Sequence, residues 1–408
     1  MTGDPRAIPA RVWRETAALP EHPLPAQLEA MRRRHPDIDA TTWSSAITMT
    51  RLRVRARTKL GPVSEDLWLT DTGLQQASRP VVATRRARLL AAQGITEFVD
   101  LGCGLGMDSA AAARAGLVVT AVERDPTTAV AARHNLSVLA PGAPARVTQA
   151  DATAVRVPDS AVAFLDPARR SGTRADGTAH RSLEPTDWQP PWPWLEAFAR
   201  GHPRTVAKVA PGIDRDLPNP EVAVEWVSVA GDLVEATLWF PGVRAGRPRR
   251  TATIMTGNPD PWDPGTEVHM TGDGEPSTVG PLGDWLIEPD PAVIRAGLVG
   301  DLALRFAGRA LSAGIAYLTA DHPPDPAWGR VSRIEAQLPF RVKPLRAEMR
   351  RREIGSVEIR TRGLALDPSA LRRQLALHPG GPAASLVITR LRGRAVALLV
   401  SDAVVPGR

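Results

Sequence analysis

A single cysteine, Cys103, stands in 408 residues, so no disulfide can close within the chain. That fits a protein of a reducing compartment, and the expectation is a cytoplasmic one. No apolar run approaches the ~20 residues that a membrane-spanning helix needs. The opening residues, Met1-Thr2-Gly3-Asp4-Pro5-Arg6, show none of the apolar character of a secretory signal. Eight histidines are present, but they fall at no metal-ligand spacing, and without partner cysteines no zinc site is expected. Lysine is nearly missing: 48 of the 51 cationic side chains are arginine, and the net charge is +7. Arginine grips phosphate bidentately and stacks on bases, which allows a nucleic-acid partner. A GC-rich coding sequence would enrich arginine equally well.

What the chain does have is concentrated at Phe98-Val99-Asp100-Leu101-Gly102-Cys103-Gly104-Leu105-Gly106-Met107-Asp108. A short apolar run ends in an acid, glycine follows at every second position, and an alanine-rich run from Ser109 to Ala115 predicts a helix. Glycine belongs in such a turn because a Cβ would block close approach of the backbone to a ligand and would penalise positive φ. The helix start adds unpaired N–H groups and a partial positive charge. The spacing is not the G-x-G-x-x-G of dinucleotide sites. Three further strands are expected downstream, each reaching an acid: Val118–Val122 with Glu123, Arg146–Ala152 with Asp151, and Ala161–Pro167 with Asp166. In open α/β sheets ligands bind outside the carboxyl ends of the strands.

This succession resembles the class I S-adenosylmethionine (SAM)-dependent methyltransferases. The resemblance implies an α/β fold with a Rossmann-like, seven-stranded sheet and SAM as cofactor. It implies cofactor binding by Asp100, Gly102, Gly104, Gly106, Glu123 and Asp151. Asp100 would pair with the methionine amine, Glu123 would hold the ribose and Asp151 the adenine. The family's fourth motif falls on Asp166-Pro167-Ala168-Arg169, and the catalytic expectation rests on Asp166, Pro167 and Arg169. Many base N-methyltransferases carry two prolines and an aromatic there. Ala168 and Arg169 stand in their place, so Arg169 would stack on a base, grip a phosphate or simply pair with surface acids.

Residues 1–75 read as a mainly helical region, with Leu24, Leu28 and Met31 at helical spacing. Arg51, Arg53, Arg55 and Arg57 alternate with smaller apolar residues. On a strand they would form one phosphate-binding face; on a helix they would spread over a solvated surface. Residues 76–245 read as the methyltransferase domain, with a fifth strand at Thr205–Val209. A closing antiparallel pair is expected at 223–229 and 235–240, turning at Gly231-Asp232. Residues 246–330 read as a linker and the start of a C-terminal unit, with Trp285–Pro289 opening that unit and a helix at 292–307. A smaller α/β domain follows at 331–408. It is expected to hold a basic helix at 341–352, a strand at 357–362, an Asp367-Pro368-capped helix and a final hairpin around Arg392-Gly393-Arg394.

This tail narrows the family. Glu288-Pro289-Asp290-Pro291-Ala292-Val293-Ile294-Arg295-Ala296, Thr361-Arg362-Gly363, Leu371-Arg372-Arg373-Gln374-Leu375 and the Leu165–Arg170 motif together resemble the THUMP-like SAM-dependent methyltransferases. True THUMP domains bind structured RNA. The expected function is therefore methylation of RNA, on a base nitrogen of tRNA or rRNA, with structured RNA as partner and no membrane. A protein or small-molecule acceptor, or a non-catalytic SAM- and RNA-binding module, are the alternatives. A uracil C5 mechanism needs a cysteine nucleophile, and Cys103 lies inside the glycine loop, so that chemistry is excluded. Lys208 would touch substrate or lie as a snorkelling surface lysine. Trp192 and Trp194 would wall a base pocket or serve packing.

Overall fold

The structure is a computed structural model that describes residues 5, 8–20, 25–169, 171–173, 179–181, 185–258 and 260–402. Contacts divide the chain into two compact units. One comprises Met1–Ala223, Ala236–Arg247 and Gly257–Thr266; the other comprises Val224–Glu235, Pro248–Thr256 and Glu267–Arg408.

The first unit opens with helices α1 (Ala10–Ala17), α2 (Pro25–Arg34), α3 (Ala40–Leu60), α4 (Asp71–Gln76) and α5 (Pro80–Ala92). Asp39 caps α3 by accepting from the Thr42 N–H at 2.9 Å. Pro80 begins α5, where a missing N–H costs nothing. Leu24 lies outside the described residues, whereas Met31 is buried against Val12 and Trp43. The alternating arginines sit on α3 and so spread around a helix. Arg53 donates to the Leu67 carbonyl and stacks over Trp13, and Arg55 and Arg57 pair with Asp71 and Glu65. The one-faced strand is thereby excluded.

The α/β core follows as β1 (Glu97–Leu101), α6 (Met107–Arg114), β2 (Val118–Glu123), α7 (Pro126–Leu139), β3 (Ala145–Gln149) and β4 (Val162–Leu165). Short strands β5 (Ala168–Arg169), β6 (Ser171–Thr173), β7 (Ala179–Arg181) and β8 (Trp188–Gln189) come next, then α8 (Trp192–Gly201) and β9 (Thr205–Val209). β1 pairs in parallel with β2 and β4, β2 with β3, and β4 with β9. Five carboxyl ends thus share one edge. β3 ends at Gln149, two residues earlier than expected, and Asp151 instead caps a short 3-10 turn. Leu90, Phe98, Ala110, Leu117, Val162 and Phe164 belong to the core around this sheet.

The chain then turns from β10 (Ala223–Val229) into β11 (Asp232–Trp239). The turn is Ala230-Gly231, with φ of 51° and 85°, not Gly231-Asp232. Ala236 to Trp239 of β11 pair antiparallel with β9, completing a doubly wound sheet in the first unit.

In the second unit β10 pairs in parallel with β12 (Arg250–Met255), which pairs antiparallel with β13 (Glu267–Thr271). Among the described residues the first unit's own sheet runs β3-β2-β1-β4-β9-β11, so the seven strands expected are not all found in it. β14 (Trp285–Pro289), α9 (Pro291–Ala296) and α10 (Val299–Arg305) follow. The expected helix at 292–307 is broken into two, because Gly297 (φ 76°) terminates α9 in the left-handed region. The remaining elements are β15 (Arg309–Ala310), β16 (Leu318–Ala320), β17 (Gly329–Pro339), α11 (Val342–Arg351), β18 (Ser356–Thr361), α12 (Pro368–Gln374), β19 (Ala383–Leu391) and β20 (Arg394–Asp402). They build a seven-stranded sheet in the order β15-β16-β14-β17-β20-β19-β18. Leu345 and Met349 of α11 and Leu371 of α12 cover one face of β18, β19 and β20. Asp367 caps α12 through the Ser369 N–H at 2.8 Å.

Candidate active site

At the carboxyl end of β1, Gly102 and Gly104 take φ of 93° and 52°, in the left-handed region. No atom lies within 4 Å of where a Cβ would stand on either, so conformation and approach, not packing, require glycine there. Gly106 (φ 82°) differs: a Cβ there would meet Leu136 and Ala132 at 3.6–3.7 Å. The Gly102 and Cys103 N–H groups both donate to the Val122 carbonyl at 2.9 Å, which ties the loop to β2. Glu123 completes the tie, its two oxygens accepting from the Gly104 N–H at 3.0 Å and the Asp125 N–H at 2.9 Å. A carboxylate has about four lone-pair directions, so the same group can still accept from a diol.

Around this loop lies a cavity of about 710 Å³. Asp100, Gly102, Gly104, Glu123, Asp151 and Asp166 all line it. Gly106 and Pro167 do not appear among its lining residues, whereas Ala168 does. Asp151 is exposed, and the Thr153 hydroxyl and N–H hold its carboxyl below the ordinary value. Arg169 is on β5, its backbone opposite Trp188. The Arg169 side chain, Arg170 and Arg174 lie outside the described residues. Trp192 is buried edge-on to Trp188, and Trp194 stacks on Phe198 at 5.0 Å. Neither lines the cavity, so both serve packing; Gln189, Pro190 and Pro191 form that wall.

Sequence reasoning missed the opposite wall. Thr70, Thr72, Gly73, Gln76 and Ser78, from α4 and the segments flanking it, face the cavity. Asn135 of α7 fixes this arrangement: it accepts from the Trp68 N–H and donates to the carbonyls of Trp68 and Leu105. No motif marks these residues, because their contribution depends on where the helical region folds back.

Beneath the loop is a buried charge cluster. Asp100 is 1% exposed. Its Oδ2 accepts from the Ser109 hydroxyl at 2.5 Å, and its Oδ1 has no hydrogen-bond partner. Asp108 accepts from Arg86 at 2.5 Å and from the Ser78 hydroxyl at 2.5 Å. Lys208 is neither a surface lysine nor lodged in solvent: it is buried and pairs with Asp166 at 2.5 Å. Among the described residues, the carboxyls of Asp100, Asp108 and Asp166 meet the cations of Arg86 and Lys208 here. Burial would raise Asp108, but the Arg86 guanidinium, the Lys208 ammonium and the Ser78 hydroxyl outweigh it and hold the group below its ordinary value. Asp100 shifts the other way. Burial first, then the Asp108 charge, push it up to about 8, so it carries a proton at neutral pH.

Cys103 packs against the core, and burial followed by the charges of Asp100 and Glu123 raises its thiol. A thiolate is therefore scarce. Replacing Cys103 by alanine should leave methyl transfer within about 3-fold of wild type, as a residue used for packing and not for nucleophilic attack would. A collapse of single-turnover rate with SAM binding intact would show the opposite.

Among the described residues no group of three or more His, Cys, Asp or Glu could hold a metal ion. No described helix is long and apolar enough to cross a membrane.

A parallel sheet with a glycine loop after its first strand and acids at its carboxyl edge defines a class I methyltransferase fold. A family model described as THUMP domain-like matches residues 329–402. An uncharacterized S-adenosylmethionine-dependent methyltransferase of Mycobacterium tuberculosis, from strain CDC 1551 / Oshkosh, is 37% identical over 364 residues, covering 86% of this chain and 94% of its own. Its counterpart from strain ATCC 25618 / H37Rv matches to the same extent. The crystal structure of a protein from Porphyromonas gingivalis W83, assigned as a methyltransferase, superposes with a TM-score of 0.72 at 22% identity, over 96% of this chain and 98% of that one. The chain belongs to the THUMP-like SAM-dependent methyltransferases, and SAM is its cofactor.

Proposed function

We propose that this enzyme methylates RNA, on a base nitrogen of a structured tRNA or rRNA, in the cytoplasm. The observation that carries the reading is the THUMP domain-like match at residues 329–402 in a chain that is a methyltransferase. True THUMP domains bind structured RNA, and an arginine-dominated surface suits phosphate.

The fit of the residues to SAM rests on three features. The Asp100 Oδ1 is buried without a hydrogen-bond partner. Gly102 and Gly104 leave their backbone open to approach. Glu123 ends β2 beside them with acceptor capacity to spare. Asp100 would take the methionine amine, Glu123 the ribose hydroxyls and Asp151 the adenine. When bound, SAM supplies a methyl group on a sulfonium for in-line displacement by the acceptor's lone pair. Asp166 accepts a hydrogen bond from the acceptor N–H, aims the lone pair and takes up the proton as it leaves. Pro167 fixes the backbone after it. Arg169 stacks on the base or grips a flanking phosphate.

The test is transfer of a radiolabelled SAM methyl group to deproteinised RNA from a strain lacking this protein, with protein extract and a small-molecule pool alongside. Label in RNA is expected, and nuclease digestion with mass spectrometry then names the nucleoside. Label confined to the other pools would remove the RNA reading and leave the enzyme class intact.

A further inference from the structure

We infer that Lys208 is a positioning residue for methyl transfer, its buried ammonium clamping Asp166 to the wall formed by Gln76 and Ser78. The inference rests on the reading of Asp166 given above, and not on RNA as the acceptor. An ammonium has three N–H donors. Lys208 Nζ lies 2.5 Å from Asp166 Oδ2, 2.9 Å from Ser78 Oγ and 3.3 Å from the Gln76 carbonyl. Each of these acceptors lies within reach of one of its N–H groups. They come from the end of β4, the last residue of α4 and the α4–α5 junction, so one side chain on β9 joins two walls of the cavity.

Its direction is fixed from below. The Ser78 hydroxyl gives its proton to Asp108 Oδ2, which turns an oxygen lone pair toward Lys208. Asp108 is in turn held by Arg86, whose guanidinium lies over the Phe164 ring at 4.7 Å and donates to Thr237. Phe164 precedes Asp166 on the same strand segment and lines the cavity. An unpaired Asp at a strand end samples several rotamers. Bound through one oxygen to a buried ammonium, it holds one rotamer and stays ionised, as an acceptor of the substrate N–H must. Among the described residues the Asp100 and Asp108 carboxyls also feel this ammonium, and the Arg86 cation stands on Asp108.

The experiment follows radiolabel transfer by the full chain into a whole extract of a strain lacking the protein, so that any acceptor class counts. Lys208→Met should lower the rate at saturating SAM by about 30-fold, with the KM for SAM within about 3-fold and the acid limb of the rate–pH profile raised by about one unit. Asp166→Asn should lower transfer by about 10²-fold, and adding Lys208→Met to it should cost nothing more, because the two act through one group. Asp166→Asn at wild-type rate would sink the reading of Asp166 and this inference with it. Impaired Asp166→Asn beside Lys208→Met with wild-type rate and acid limb would overturn this inference alone. Should Lys208→Met fail to fold, Ser78→Ala decides: it keeps the lysine and removes its anchor. A rate loss of about 3–10-fold at unchanged SAM KM, with the acid limb raised, supports the clamp, and an unchanged rate and limb overturns it.

Discussion

Asp166→Ala should lower the rate of methyl transfer by about 10²–10³-fold while SAM binds within about 3-fold of wild type, the pattern of a group that acts on the reacting atoms and not on the cofactor. The argument is geometric. Asp166 stands one residue beyond β4, at the edge where Asp100, Glu123 and Asp151 also converge, and its side chain is only partly exposed, at 29%. Its oxygen is committed to Lys208, which fixes the carboxylate without removing its capacity to accept. Removing it takes a carboxylate away from a buried ammonium, so some loss of stability accompanies the loss of rate. Asp166→Asn separates the two: it keeps the shape and a carbonyl oxygen but loses the charge. Calorimetry gives SAM affinity and single-turnover labelling gives the chemical step. Retained transfer in Asp166→Ala would take this residue out of the mechanism.

The succession of strand, glycine loop and acid was legible because it is local. Short apolar runs, glycine spacing and a terminal acid all fall within about ten residues of one another. Capped helices were legible for the same reason: Asp367-Pro368 and Pro80 carry their boundary in their own chemistry. The arginines at 51–57 were ambiguous, because alternation reads as a strand face or as a helix with its charges spread. Tertiary contact decided it, through Met49, Leu52, Ala56 and Leu60 buried along α3. The Gln76–Ser78 wall and the Arg86–Asp108 pair were not legible, since partners 22 to 132 positions apart in sequence meet only when the helical region packs on the sheet. Lys208 looked like any strand-end lysine. A hint existed in its rarity, because a chain that uses arginine almost everywhere keeps only three lysines. A compact ammonium with three donors suits a small buried slot better than a planar fork.

Binding of SAM at pH 6.5 should release about one proton per ligand, and Asp100→Asn should abolish that release. Asp100 carries its proton at this pH because burial and the Asp108 charge raise it to about 8. A ligand ammonium supplies a positive charge and displaces the proton. Calorimetry in buffers of different ionisation enthalpy reads the number directly. The same group sets a pH dependence of stability in the ligand-free protein. Its folded value lies above its unfolded one, near 4, so the folded state holds the extra proton between about pH 4 and 8. Its contribution therefore falls as pH rises through that window, by at most about 1.4 kcal/mol per unit, and the full cost is present above 8. Asp100→Asn has no such cost, so its melting temperature should gain on wild type between pH 5 and pH 8. Saturating SAM should narrow the difference, because the wild-type carboxylate then has its cation. A constant difference across that range, with no proton released on binding, would show that Asp100 is ionised throughout and that the cluster meets its charge balance in some other way.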